Sequence, residues 1–119
     1  MRTQRVSLLF ALLSLTVLAP TAGAQEASGE QIYTMLCTQC HGVKSDGRGI
    51  NAAHMSVQPR SHIDKEEMSA RSDEELHKVI EEGGKAINKS VLMPAWGDNL
   101  SQEQIEELVK YLRVLCCSS

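Results

Sequence analysis

The chain has 119 residues, with 12 lysines and arginines against 15 aspartates and glutamates and a formal net charge of −3. A nucleic-acid-binding domain would carry a clustered basic face, so this balance argues against nucleic acid as a partner. A chain this short forms one domain and cannot bury a large core unaided. Its one Trp, two Tyr and one Phe supply little core volume, which leaves room for a large apolar cofactor.

The first 24 residues have the features of a secretory signal peptide. Arg2 and Arg5 precede an apolar run over residues 6–18, Pro20 breaks the run, and Ala22-Gly23-Ala24 offers small residues for cleavage. The run is shorter than the roughly 20 apolar residues that a membrane-spanning helix needs. We therefore predict cleavage after Ala24 rather than retention as a membrane anchor.

Export would place the mature chain, residues 25–119, in the periplasm as one domain without stable membrane insertion. Because the leader holds two arginines and no acid, the mature chain keeps ten basic and fifteen acidic residues, a net charge of −5. This acidic balance suggests a basic docking surface on a partner, since complementary charge speeds encounter.

The first predicted helix covers residues 29–38, where Ile32 and Leu36 fall on one face at helical spacing. The next stretch, residues 42–63, is rich in glycine and polar residues and contains Pro59, which predicts a long loop. A loop of this length in a small domain usually carries function or wraps another group.

A second helix is predicted to begin after Ser72, with Glu75 completing a capping box, and to end at Gly83-Gly84. A shorter helix over residues 64–70 precedes it. The third begins after Ser101 and continues through apolar residues at spacings of three and four, Ile105, Leu108, Val109, Leu112 and Leu115. Arg113 is predicted to lie on the charged face of this helix, opposite the apolar residues. No segment alternates as a strand, so the domain is predicted to be all-α.

The strongest signal is Cys37-Thr38-Gln39-Cys40-His41, since Cys-x-x-Cys-His is the pattern of c-type haem attachment. Two cysteines three positions apart on a helical turn can form thioethers to the two haem vinyl groups, and the adjacent histidine then meets the iron. A thioredoxin-type redox pair would need a βαβ setting, which is missing. A zinc site would need two more ligands, for which the adjacent Cys116 and Cys117 are poorly spaced. A plain disulfide would leave His41 without a role.

The sixth iron ligand must come from elsewhere in the chain, and Met93 is the leading candidate. It lies 52 residues beyond His41 in Leu92-Met93-Pro94-Ala95-Trp96-Gly97, where Pro94 stiffens the loop. A histidine ligand or an open sixth position also stays possible, because haem proteins use methionine, histidine or no protein ligand at this position. The other side chains that could serve are Met35, Met55, Met68, His54, His62 and His77.

These residues resemble class I cytochrome c, in its small periplasmic monohaem branch. The resemblance runs from Gly29 to Leu115 and rests on the first helix with the haem motif, the Met93 loop and Leu108-Val109-Lys110-Tyr111-Leu112. It implies three to four helices around one covalently attached haem c, with His41 and Met93 as the two iron ligands.

The resemblance also implies roles for residues outside the motif. The first and last helices should cross closely at Gly29, under Tyr111. The carbonyl of Pro59 should accept the Nδ1–H of His41, fixing the ring. Trp96 should pack against the haem or its propionates, or in the ordinary core. Cys116 and Cys117 depart from the family pattern. In an oxidising compartment they could pair with each other or link two chains in a dimer, or they could lie in a frayed tail.

An iron with two strong protein ligands has no free position for substrate but can still exchange one electron. The sequence therefore predicts a non-enzymatic carrier that passes single electrons between redox proteins of a respiratory chain. Two alternatives stay open. One is a peroxidase-like or gas-binding haem protein with an open sixth site, and the other is a redox sensor that uses Cys116 and Cys117.

Overall fold

The structure is a computed structural model that describes residues 26–118. Among these residues the regular structure is helical, with no strand. The five α-helices and two 3-10 helices, in chain order, are α1 Gly29–Leu36, α2 Thr38–His41, the 3-10 helix Ala52–His54, α3 Lys65–Ser69, α4 Asp73–Glu82, the 3-10 helix Gly84–Ile87 and α5 Gln102–Cys117. The all-α prediction is confirmed. The predicted leader and its cleavage point lie outside the described residues.

Helix starts follow the predicted caps with one difference. The hydroxyls of Ser72 and Ser101 accept hydrogen bonds from the amides of Glu75 and Gln104, which satisfies one free donor in each first turn. At Ser101 the Gln104 side chain returns the bond and completes the capping box. The prediction of a full box at Ser72 was wrong, because the Glu75 carboxylate accepts from Arg71 at 2.7 Å instead.

Helices α1 and α5 cross where the resemblance predicted. A Cβ at Gly29 would lie 2.1 Å from the carbonyl oxygen of Glu107 and 3.0 Å from the Cβ of Tyr111, so only glycine allows this approach. Around the crossing lies the core, formed by Ile32, Tyr33, Met68, Leu76, Ile80, Ile105, Leu108, Val109, Leu112 and Cys116. The crossing thus fixes α1, and with it the start of α2, against the longest helix of the domain.

The loop between α2 and α3 satisfies the carbonyl groups that α2 leaves free at its end. The amides of Gly47, Gly49 and Asn51 donate to the carbonyls of His41, Cys40 and Gln39 at 2.8, 3.0 and 2.9 Å. A short helix exposes its last carbonyls and needs such partners. The predicted long loop therefore has a definite path, and it wraps the end of the helix that carries the cysteine motif.

Cys116 and Cys117 form a disulfide with each other in the last turn of α5. Cys116 packs in the core, and Cys117 is partly buried beside it. The sequence left three possibilities for this pair: a bond between the two cysteines, a bond to a second chain, or a frayed tail. The structure shows the first. While that bond is intact, neither sulfur is free to join a second chain. No helix in residues 26–118 has both the length and the apolar character to cross a membrane.

Candidate haem site

The cysteine motif forms its own helical turn beside a deep cleft. Cys37 caps α2, and Cys40 follows one turn later, with its amide donating to the Cys37 carbonyl at 3.2 Å. Both thiols are free, half-buried and part of the cleft lining. Burial, with a smaller contribution from the charge of Cys40, raises the pKa of the Cys37 thiol to about 12. The unmodified thiol is therefore protonated at neutral pH.

His41 ends this turn with one ring nitrogen fixed. Its Nδ1 lies 2.9 Å from the carbonyl oxygen of Arg60, and because a carbonyl only accepts, Nδ1 carries the proton. Burial lowers the pKa of His41, so the ring is neutral and Nε2 keeps a lone pair for a metal. The geometry is that of a histidine ligand whose second nitrogen is held by the backbone.

The predicted acceptor for this bond, the Pro59 carbonyl, was wrong by one residue. A Cβ at Gly47 would lie only 2.5 Å from the Pro59 carbonyl oxygen, so that oxygen packs against the Gly47 backbone. Gly47 has a φ of +80°, a left-handed conformation that glycine adopts without strain. The next carbonyl along, that of Arg60, is the one that reaches His41. Pro59 itself lines the cleft.

Met93 and Met55 are the two candidate methionines that line the same cleft as His41. Met68 is fully buried in the core, and Met35 is 71% exposed on α1. Because neither Met35 nor Met68 lines the cleft, neither can reach the iron of a haem bound there.

The three histidines that could serve as the sixth iron ligand lie in different places. His54 is exposed at the end of its 3-10 helix. The Nδ1 of His77 lies 3.7 Å from a carboxylate oxygen of Glu81 on α4. His62 does line the cleft, but its ring is stacked on the ring of His41 with centroids 4.1 Å apart. His62 therefore lies on the same side of the cleft as His41 and does not face it across the cleft.

The Met93 loop is held by the glycine pair that ends α4. The amide of Gly84 donates to the Met93 carbonyl at 3.0 Å, and a Cβ at Gly84 would lie 2.2 Å from the Ser90 carbonyl oxygen and 3.0 Å from the Met93 Cβ. Further along, the Trp96 amide donates to the Ile80 carbonyl at 2.9 Å. Trp96 lines the cleft and also packs against the core, and its contact with haem stays a prediction.

The cleft fits a haem in volume and in chemistry. Its volume is about 550 Å³, within the range of sites that bury a small cofactor. Two thiols, the neutral imidazole of His41 and two thioethers line it, and apolar side chains form much of its wall, among them Leu36, Leu76, Val79, Ile80, Leu108 and Leu112. The competing zinc interpretation lacks this support, because Cys116 and Cys117 are bonded to each other on α5.

Residues 24–112 match the family described as cytochrome c oxidase, cbb3-type, subunit III. This chain is a c-type cytochrome of that family. Members of the class carry haem attached covalently through the Cys-x-x-Cys-His motif. The cytochrome is also 26% identical over 107 residues to cytochrome c6 of Rippkaea orientalis, covering 90% of this chain and 86% of that protein.

Chloroplastic cytochrome c6 of Chlamydomonas reinhardtii is 29% identical to this cytochrome over 115 residues, which cover 92% of this chain and 68% of the relative. Among solved structures, the KustC0563 c-type cytochrome superposes with a TM-score of 0.61 at 24% identity, over 76% of this chain and 99% of that one. That likeness shows that this chain also has the fold of a c-type cytochrome. The small class I cytochrome fold predicted from the sequence is thereby confirmed.

Proposed function

We propose that this cytochrome is a periplasmic, monohaem electron carrier that passes single electrons between redox proteins of a respiratory chain. Haem c would be attached at Cys37 and Cys40, with His41 and Met93 as the iron ligands. Bound in this way, the haem supplies one reversible electron through its iron. The chain's own residues hold it, exclude water from it and set its potential.

The observation that carries this proposal is the presence of His41 and Met93 in one cleft with both motif cysteines. His41 has a neutral ring with Nδ1 occupied, which leaves one nitrogen for the iron. Met93 has its backbone tied to Gly84, which limits how far the thioether can move away. A fixed pair of ligands leaves no position for a substrate and changes little between oxidation states, which favours transfer over catalysis. The likeness to two cytochromes c6 supports the same function.

Export is the second part of the proposal and rests on residues 1–24. The basic head, apolar run and small residues before position 25 predict a cleaved leader and a mature domain of residues 25–119. Haem attachment to a Cys-x-x-Cys-His motif takes place outside the cytoplasm, so the motif needs export and the predicted leader would provide it. Transient redox partners with basic docking surfaces would suit the acidic mature chain.

The test is the visible spectrum of the ferric protein. Methionine–iron coordination gives a weak band near the red end, and we expect this band in the wild type and its loss in Met93→Ala. The matched control is Met55→Ala, because Met55 is the other cleft methionine, and here the band should persist. A wild-type haem that is high-spin and readily binds carbon monoxide when reduced would favour the gas-binding alternative. A band lost in Met55→Ala but kept in Met93→Ala would reassign the ligand.

A further inference from the structure

A second histidine lies face to face with His41, and neither the attachment motif nor the proposed ligand pair accounts for it. The ring centroids of His41 and His62 are 4.1 Å apart and the planes are within 19° of parallel. His62 is 9% exposed, so the contact is buried. An apolar side chain would fill this volume without needing hydrogen bonds, which makes an imidazole here costly unless its polar atoms are paired.

The amide and the Nδ1 of His62 are paired with fixed partners. Its amide donates to the carbonyl of Ser45 at 2.7 Å, and its Nδ1 shares a hydrogen bond of 3.0 Å with the hydroxyl of Tyr33. Tyr33 is 2% exposed and lies on α1, with its ring edge-on to His62 and tilted against Tyr111. The His62 ring is therefore anchored to α1 at its close crossing with α5.

Two contacts together define the orientation of the His41 ring. The bond from Nδ1 to the Arg60 carbonyl fixes one edge, but a ring held at one edge can still rotate about that direction. The flat face of His62 blocks this rotation, because a rotated His41 ring would run into it. Since Arg60 and His62 are two residues apart in one loop, the loop supplies both contacts.

We propose that His62, anchored by Tyr33, is a positioning residue that sets the ring plane of the axial ligand His41. This rests on the proposed function, in which His41 binds the iron. The plane of an axial imidazole determines which iron d orbital it overlaps, so it sets the spread of the haem methyl resonances in the ferric protein. Contacts of this kind around a ligand also tune the metal.

The experiment compares three variants and one control variant of the haem-loaded protein by proton NMR of the ferric haem methyls and by midpoint potential. His62→Leu keeps apolar volume but removes the flat face and the anchor, and we expect a changed methyl pattern and a shifted potential. His62→Phe keeps a flat ring and should stay nearer to the wild type. Tyr33→Phe keeps the stack and loses one hydrogen bond, so a smaller shift in the direction of His62→Leu is expected. His54→Leu, an exposed histidine, is the control and should match the wild type.

A role limited to core filling would lower stability without moving the methyl pattern. Wild-type methyl shifts and potential in His62→Leu would therefore overturn the proposal, whatever the melting temperature. If His62→Leu does not yield folded protein, Tyr33→Phe decides, and an unchanged methyl pattern there has the same consequence. A wild-type protein without a low-spin, histidine-ligated ferric haem would instead contradict the proposed function, so the two failures are distinguishable.

Discussion

At the scale of single residues, side chains with a specific chemical role could be predicted from the sequence, whereas contacts set by the path of the chain could not. Cys37, Cys40 and His41 could be predicted as haem residues from their spacing, because the attachment pattern fixes both the residue types and their order. The acceptor for His41 could not, because every residue in the loop has a carbonyl and only the path of the chain selects Arg60 over Pro59. His62 was identified only as an alternative ligand, and its stacking depends on that same path.

Gly84 is a residue whose importance for the site comes from contacts in the fold. A Cβ there would lie 2.2 Å from the Ser90 carbonyl oxygen and 3.0 Å from the Met93 Cβ, so Gly84→Ala must displace the Met93 loop. Forcing atoms into a packed contact costs about 1–3 kcal/mol in the free energy of unfolding. We expect denaturant unfolding to show this loss and the weak ferric methionine band to diminish.

The matched control is Gly29→Ala, where the added Cβ would lie 2.1 Å from the Glu107 carbonyl, at the crossing of α1 and α5. It should destabilise the protein comparably but keep the methionine band. Equal bands in wild type and Gly84→Ala would show that the glycine does not control the Met93 loop.

At the scale of elements, helix ends were predicted well and inter-helix contacts less well. Serine caps act within one turn of chain, so the starts of α4 and α5 could be read from sequence. The first predicted helix is instead broken at Cys37 into α1 and α2, which no local signal indicated. Arg113 was predicted on the charged face opposite the apolar residues, and its guanidinium contacts the junction of α3 and α4, 40 or more residues away in sequence.

Arg113 joins three elements through one guanidinium. It donates to the carbonyls of Met68 and Arg71 at 2.8 and 2.6 Å and to the Asp73 carboxylate at 2.7 Å. The Met68 carbonyl is in the last turn of α3 and also accepts from the Arg71 amide at 3.2 Å, and the Arg71 carbonyl lies between α3 and α4. Since hydrogen bonds to charged groups contribute about 1.5–3 kcal/mol each, we expect Arg113→Ala to lower the free energy of unfolding by roughly 2–3 kcal/mol after side-chain entropy is discounted.

Thermal and denaturant unfolding measure this effect. The control is Lys110→Ala on the same helix, whose exposed ion pair with Glu107 should add little to the free energy of unfolding. A loss in Arg113→Ala no larger than that of Lys110→Ala would mean that the α3–α4 junction does not depend on this side chain.

At the scale of the whole molecule, a short chain with few aromatic residues builds a small core that continues into the wall of a cleft. The core lies between α5 and α1, α3 and α4, and its residues Tyr33, Leu76, Ile80, Leu108 and Leu112 also line the cleft beside the motif and the Met93 loop. Composition predicted the shortage of core volume, and periodicity predicted the helices. The long loop's wrapping of α2 could not be predicted, because it depends on backbone hydrogen bonds made by residues of any type.

The central claim is that one haem is attached covalently at Cys37 and Cys40. Intact-protein mass spectrometry of the purified, exported chain tests it most directly, with peptide mapping to locate the modification. We expect the mass of residues 25–119 plus one haem, with the haem retained under denaturing conditions and carried on the peptide that holds both motif cysteines. Cys37→Ser with Cys40→Ser should lose it. An unmodified wild-type chain, or a haem that dissociates on denaturation, would contradict the account.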